Sequence, residues 1–443
     1  MLADPSALQA TPSTVSLRTG NASPIPILTY HQIDEAPAKG ARLRGQAADM
    51  SPLQNAHPAG TRLRVAVLNR NFSPTGGGAE RYSIALVEQL AWRHDIHVFA
   101  QSVDHHWPGV TYHKVSQPLK RPRWINQLWY ATATWWATRR GFDIVHSHEN
   151  TWSGQVQTVH VLPIKYNLFL GREGLTRALR WIKVLTSPRL LVYLWLEHMR
   201  YAAKPGRVLV VTSSTLKNIM LQTHPNTRSM LQVVTPGVTD VPGKVSTSTQ
   251  LDARRKLGLP EQGQCILFVG NDYQKKGLAT LLDAMVLLPE GVYLAVVGNP
   301  AHIPAFKART VAVGLGQRVF FLGVLEDVTL AYLAADCLAH PTQEDTFAMV
   351  VLEAMAHGLP VVVSSQAYCG ISGLLTDGEN ALILQKPTDT DALSSLLRRV
   401  LSGASLGQYL GTRAAEFANG HRWSDVALRQ EAIYRAFDLA SRH

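Results

Sequence analysis

Asp345 and Glu353 stand eight residues apart in the stretch DTFAMVVLEAMAHGLPVVVSS, residues 345–365, which carries more chemical information than any other part of this chain. The stretch reads as a loop, a helix, a Gly-Pro turn and a buried strand. Thr346 and Asp345 are expected to cap a helix that begins near Phe347, because their side-chain oxygens can accept its orphan amide hydrogens. Gly358 closes that helix, Pro360 prevents its return, and Val361, Val362 and Val363 read as a central parallel strand. The amides of Phe347, Ala348 and Met349 then stand with a carboxylate at a helix N-terminus, a setting suited to a phosphate or a sugar hydroxyl. Eight residues at 100° each bring Glu353 to within about 80° of Asp345, so two carboxylates could grip two parts of one elongated polar ligand. The plain alternative is a capping acid and a surface Glu.

Other groups have chemical potential of their own. Gly76, Gly77 and Gly78 lie between a strand and a helix. There Gly77 and Gly78 allow close backbone approach and expose amides to an anion; the alternative is a tight turn with no ligand. His160 ends a predicted strand in QTVHVLP, and His146 and His148 in VHSHEN form a competing pair. A two-residue spacing on a strand puts that pair on one face, but only Glu149 follows as a further ligand, so no metal site is expected. Asp389-Thr390-Asp391 opens a helix after Pro387, and capping explains it.

The elements that must hold these groups alternate between strand and helix. RVAVLN from Arg64, HVFA, DIVHSH, QTVHV and VLVVTSS read as strands of one doubly wound domain, with AERYSIALVEQLAW an amphipathic helix. VVTPGV, centred on Pro236 and Gly237, reads as an interdomain joint. QCILFVGN, VYLAVVGN, VFFLGVL and DCLAHPT repeat the pattern as a second Rossmann-like domain. The expected organisation is an extension at 1–60, a domain at 61–238, a second at 239–422, and a closing helix at 423–443. A length of 443 residues suffices for this, and 46% hydrophobic against 17% charged residues marks a globular chain.

Several of these motifs together resemble the family 4 retaining glycosyltransferases, and within them the lipopolysaccharide core glucosyltransferases that act on heptose. The resemblance runs from about Arg64 to the C-terminus. It rests on GGAER after the first strand, on HPTQEDTFAMVVLEA, and on Tyr368-Cys369-Gly370-Ile371. It implies the GT-B arrangement, two Rossmann-like domains facing one cleft, with the last helix crossing back to the first domain. Asp345 takes the place of a Glu that contacts donor sugar hydroxyls, and Glu353 that of the acid on the nucleotide ribose. Gly270–Gly277 resembles the basic loop that holds the donor diphosphate, which makes Lys275 and Lys276 its cations. His160 lies where a family His approaches the donor sugar. By this likeness Asp345, His160 and Lys276 are catalytic candidates. Gly77, Gly78, Lys275, Lys276, Phe347, Ala348, Met349 and Glu353 are binding candidates. The chain departs from the pattern with Asp345 for Glu, Phe347-Ala348 for Phe-Gly, and Asn271 where many members carry Arg.

The reaction so implied moves a hexose from a nucleotide sugar, UDP-glucose or a related UDP-sugar, to a membrane-associated glycan of the lipopolysaccharide core. The configuration is retained, and no metal or cofactor takes part. A sugar-nucleotide epimerase on the same fold, or an inactive glycan-binding scaffold, is the alternative. A net charge of +11 suggests an anionic partner. Segments 120–140 and 177–200 set Trp and Tyr among Arg and Lys, a pattern suited to the surface of an anionic bilayer; no nucleic-acid-binding module accompanies it. Three scattered cysteines form no disulfide framework, no apolar run is long enough to span a bilayer, and no secretory signal is evident. The expected location is therefore the inner face of the cytoplasmic membrane. Within 1–60, residues 25–46 resemble the start of a polysaccharide deacetylase, with Tyr30, His31 and Asp34 a fragment of that fold; Met50 is a possible true start.

Overall fold

The computed structural model describes residues 28–29, 62–119, 121–239 and 246–442. The extension at 1–60 and its deacetylase-like fragment lie outside the described residues, apart from Leu28–Thr29. The second sheet holds six parallel strands in the order Val319–Gly323, Val292–Val297, Gln264–Val269, Cys337–His340, Val361–Ser364, Leu382–Leu384. Numbered along the chain, this is 3-2-1-4-5-6, the order of a doubly wound nucleotide-binding fold. The first sheet repeats it with Val110–Lys114, Asp95–Ala100, Arg64–Leu68, Ile144–Ser147, Val156–Val159 and Val208–Val211. It adds Leu231–Val233 at one edge and the antiparallel pair Leu28–Thr29 at the other.

Central strands such as Arg64–Leu68 and Val361–Ser364 are apolar on both faces because helices cover both. In each sheet the order reverses between the first and fourth strands. A crevice opens at their carboxyl ends, where such folds bind ligands.

Gly237 at the joint packs on the backbone of the returning chain: a Cβ there would meet the amide nitrogen of Trp423 at 2.6 Å. Val238 and His421–Trp423 exchange backbone hydrogen bonds at 2.8 and 3.3 Å, so the two interdomain crossings run side by side. The final helix, Trp423–Arg442, then buries Trp423, Val426, Ala427, Ile433 and Tyr434 in the core of the first domain.

The segment around Asp345 differs from the expected helix start. The helix is Met349–Ala356, preceded by Ala348 at φ 72, the one left-handed non-glycine among the described residues. Asp345 and Thr346 therefore lie outside the helix. Thr346 Oγ1 donates to the His160 carbonyl at 2.7 Å instead of capping, and Asp345 turns to a lysine. Long-range partners outcompete the local cap, and the helical angle between Asp345 and Glu353 does not apply.

Candidate active site

A cleft of about 500 Å³ lies between the domains at the carboxyl ends of both sheets. The second-domain wall is built from two strand ends. The loop after Gln264–Val269 carries Gly270, Asn271 and Lys276, and the loop after Cys337–His340 carries Glu344 to Ala348. Gly277, at φ 80, lies so close to the Pro341 carbonyl that a Cβ would sit 1.9 Å away, which binds these two loops together.

Lys276 Nζ donates to Asp345 Oδ2 at 2.6 Å and to the Glu344 carbonyl at 2.9 Å, and His340 Nε2 lies 3.2 Å from the same Asp345 oxygen. Burial alone would raise the Asp345 carboxyl. The Lys276 ammonium and the His340 ring outweigh it and hold the group well below the carboxylate range. His340 is itself pushed down by burial, partly countered by Asp345. Asp345 is thus an ionised carboxylate pinned to a cation, and Phe347 donates its amide to Asp345 Oδ1 at 3.3 Å.

Backbone contacts fix this loop from the other side. Asp345 donates its amide to the Tyr368 carbonyl at 2.8 Å, and Gly370 donates to the Asp345 carbonyl at 3.0 Å. A Cβ on Gly370 would meet the Thr346 carbonyl oxygen at 2.0 Å. Ser213 Oγ of the first domain donates to that same carbonyl at 2.6 Å, so the loop is held across the cleft.

The structure brings Asp345, Lys276, His160, Phe347, Ala348, Met349, Gly77 and Gly78 to one cleft. Lys275 is not among its lining residues; it is half exposed, with Nζ 3.1 Å from Glu344 Oε1. Glu353 lies behind the lining, ion-paired to Arg81 of the first domain and accepting from Tyr332 Oη at 2.7 Å. The Gly77 amide expected to face an anion instead donates to the Glu80 carboxylate at 2.8 Å. His160 sits in the first-domain wall against Tyr82, with Nε2 2.9 Å from His148 Nδ1. His146 engages Tyr434 Oη and Thr158 Oγ1, both at 2.6 Å, and so faces the interior of the first domain. Asp389 caps the helix Thr390–Ser402 through the Ala392 amide at 3.0 Å, as its sequence context suggests.

Sequence reasoning passed over Arg81, Tyr332, His340 and Ser213. Arg81 and His340 lie within GGAER and HPTQED, motifs quoted for other residues. Tyr332 and Ser213 carry no local signal, because their partners are distant in the chain.

A cleft between two parallel-sheet domains, with a cation and a carboxylate at the switch point of the second, defines a GT-B glycosyltransferase frame. Residues 76–240 match the family described as Glycosyltransferase Family 4, and residues 249–417 match Glycosyl transferases group 1. By these two matches the chain is a glycosyltransferase of the GT-B type. It is 31% identical over 170 residues to the lipopolysaccharide glucosyltransferase WaaG of Escherichia coli K12, which spans 38% of this chain and 45% of that protein. It is 27% identical over 241 residues to a D-inositol 3-phosphate glycosyltransferase of Corynebacterium diphtheriae, covering 51% of this chain and 55% of the other. These alignments span about half the length of the curated relatives. In fold, the chain is similar to the crystal structure of WaaG, with a TM-score of 0.71 and 21% identity over 83% of this chain and 98% of that one. It is also similar to Anabaena HepE in complex with UDP-glucose, with a TM-score of 0.66 and 18% identity over 86% of this chain and 100% of that one.

Proposed function

We propose that this chain transfers a hexose from a UDP-sugar to a membrane-associated glycan, with retention of configuration. The observation that carries this reading is the Asp345–Lys276–His340 cluster facing His160 across the interdomain cleft. Lys276, next to the turn at Gly277, is the cation for the donor diphosphate as negative charge develops on the leaving group. Asp345 orients that ammonium and faces the sugar, and Glu353 takes the ribose. The departing phosphate accepts the acceptor proton. Closure of the cleft excludes water and limits hydrolysis of the donor. The UDP-glucose held by HepE and the name of WaaG support UDP-glucose as donor and lipopolysaccharide core as acceptor.

A peripheral membrane contact through the first domain is part of this proposal. In the helix Gly174–Leu185, Leu175, Leu179 and Ile182 fall within about 60° of one another, and Val184 points the opposite way. Val184 is buried, whereas Leu175 is 75% exposed and Ile182 58%. The apolar stripe thus faces outward, with Lys183 about 70° from its centre on one flank. Trp135 and Trp136 of the helix Arg123–Thr138 and Trp195 of the helix Pro188–Arg200 are also exposed. Among the described residues no helix is long and apolar enough to cross a membrane, so the contact proposed is peripheral.

Incubation with UDP-glucose and deacylated lipopolysaccharide core, with the product anomer read by NMR, tests the reaction. An α-linked glucosyl product is expected; free glucose as the sole product, or no turnover, contradicts it. A second reading, an inactive glycan-binding scaffold, draws on the ion pairs that already satisfy Asp345 and Glu353; binding of core oligosaccharide without turnover would favour it.

A further inference from the structure

The first-domain wall of the cleft is backed by a column of three histidines. The His160 and His148 rings lie edge to edge, centroids 5.2 Å apart with planes 12° from parallel, and the His148 ring centroid lies 4.3 Å from that of His146. Tyr82 meets His160 edge-on at 5.0 Å and His148 at 5.9 Å, which restricts rotation of both rings. Burial, with Arg200 adding to it, pushes the His160 ring down to about 3; His148 is pushed well below its ordinary value, first by burial and then by its His neighbours. Each ring therefore holds one proton at neutral pH.

A single proton occupies the bond between His148 Nδ1 and His160 Nε2, and its owner decides what His160 shows the cleft. If His160 donates, the proton of His148 must sit on Nε2. That atom is buried and has no partner among the described residues. A buried N–H without an acceptor is rare and forfeits a full hydrogen bond. If His148 donates from Nδ1, its Nε2 is left with a lone pair only, and the proton of His160 moves to Nδ1. Among the described residues His160 Nδ1 has no partner and is not one of the buried unpaired atoms, and His160 lines the cleft.

Resting on the donor-site reading above, we propose that His148 is a positioning residue that locks His160 as the Nδ1–H tautomer. The cleft wall then presents a fixed hydrogen-bond donor to a hydroxyl of the donor sugar. The His160 carbonyl also accepts from Thr346, so the donor is held in register with the loop that carries Asp345.

Long-range nitrogen spectra of histidine-labelled full-length protein, with the His160 signals assigned by their loss in His160→Gln, read the tautomer with no ligand present. Protonated Nδ1 and bare Nε2 on His160 are expected; the reverse overturns the proposal. Two variants carry it to binding. His148→Asn keeps an N–H donor near the Nδ1 position, whereas His148→Leu keeps bulk without a donor. His148→Leu is expected to weaken UDP-glucose binding about tenfold, the worth of one neutral hydrogen bond, without changing UDP binding, and His148→Asn to restore it. Equal UDP-glucose affinity in the Leu and Asn variants overturns the proposal. Failure of the wild type to bind UDP at all contradicts the donor-site reading instead, and the ligand-free tautomer still decides the role of His148.

Discussion

Arg81 in the first domain is ion-paired with Glu353 in the second, and Tyr332 donates to the other oxygen of that carboxylate at 2.7 Å. The pair exists only while the two domains are close, so the proposed ribose-binding acid is also the anchor of domain closure. Arg81 is held more firmly protonated than an ordinary guanidinium, first by Glu353.

Arg81→Ala is expected to loosen closure. Because Arg81 retains 31% exposure, the cost should be about 1–3 kcal/mol, below that of breaking a fully buried pair. Small-angle scattering should show a larger radius of gyration for the free variant. Unchanged dimensions would mean that the pair does not govern closure.

Ala348 adopts φ 72, a conformation that costs an L-residue roughly 1–2 kcal/mol and glycine almost nothing. Ala348→Gly should therefore raise the melting temperature or leave it unchanged, since relief of strain offsets the roughly 0.4–1 kcal/mol that glycine adds to unfolded-state entropy. A clear fall on calorimetry would show that the alanine methyl, buried in the second-domain core, matters more than the strain.

Gly370→Ala places a methyl against the Thr346 carbonyl, where the clash is with backbone. The 345–347 loop must shift, losing the Ser213 bond and misplacing Asp345. Turnover should fall about a hundredfold, as for other displacements of reacting groups by about 1 Å. Retention of full activity would show that the loop position is not used.

The histidine column makes stability depend on pH. His146 and His160 are each lowered to about 3, mainly by burial. Between roughly pH 6.5 and 3 the unfolded chain binds protons that the folded chain does not, so stability falls as pH falls through that window. At pH 5 each ring should cost about 2 kcal/mol relative to neutral pH. Asp345, whose pKa is depressed, adds its own loss only below about pH 4. Denaturant midpoints measured from pH 7 to 5 should drop in the wild type and drop less in His146→Asn; parallel slopes would contradict the assignment.

The frame was legible because buried parallel strands are nearly continuous apolar runs, as in QCILFV and VYLAVV. Val110–Lys114 escaped notice because VTYHK is largely polar and only half-buried, without the apolar run of a central strand. The helix start at Met349 was misread since Asp345 and Thr346 have the side chains of caps; their true partners, Lys276 and the His160 carbonyl, are 69 and 186 residues away. Lys275 and Lys276 look alike in sequence, and only the fold turns one into the cleft and the other toward Glu344 at the surface.

The most direct test is thermal stabilisation by UDP, GDP, ADP and CMP on the wild type, Glu353→Ala and Arg81→Ala. A ligand at a hundred times its Kd stabilises the folded state by about 2.7 kcal/mol. UDP alone should raise the melting temperature of the wild type and of Arg81→Ala, which keeps the carboxylate, and should not shift Glu353→Ala. No shift with any nucleotide in the wild type, or an equal UDP shift in Glu353→Ala, would contradict the nucleotide-sugar site.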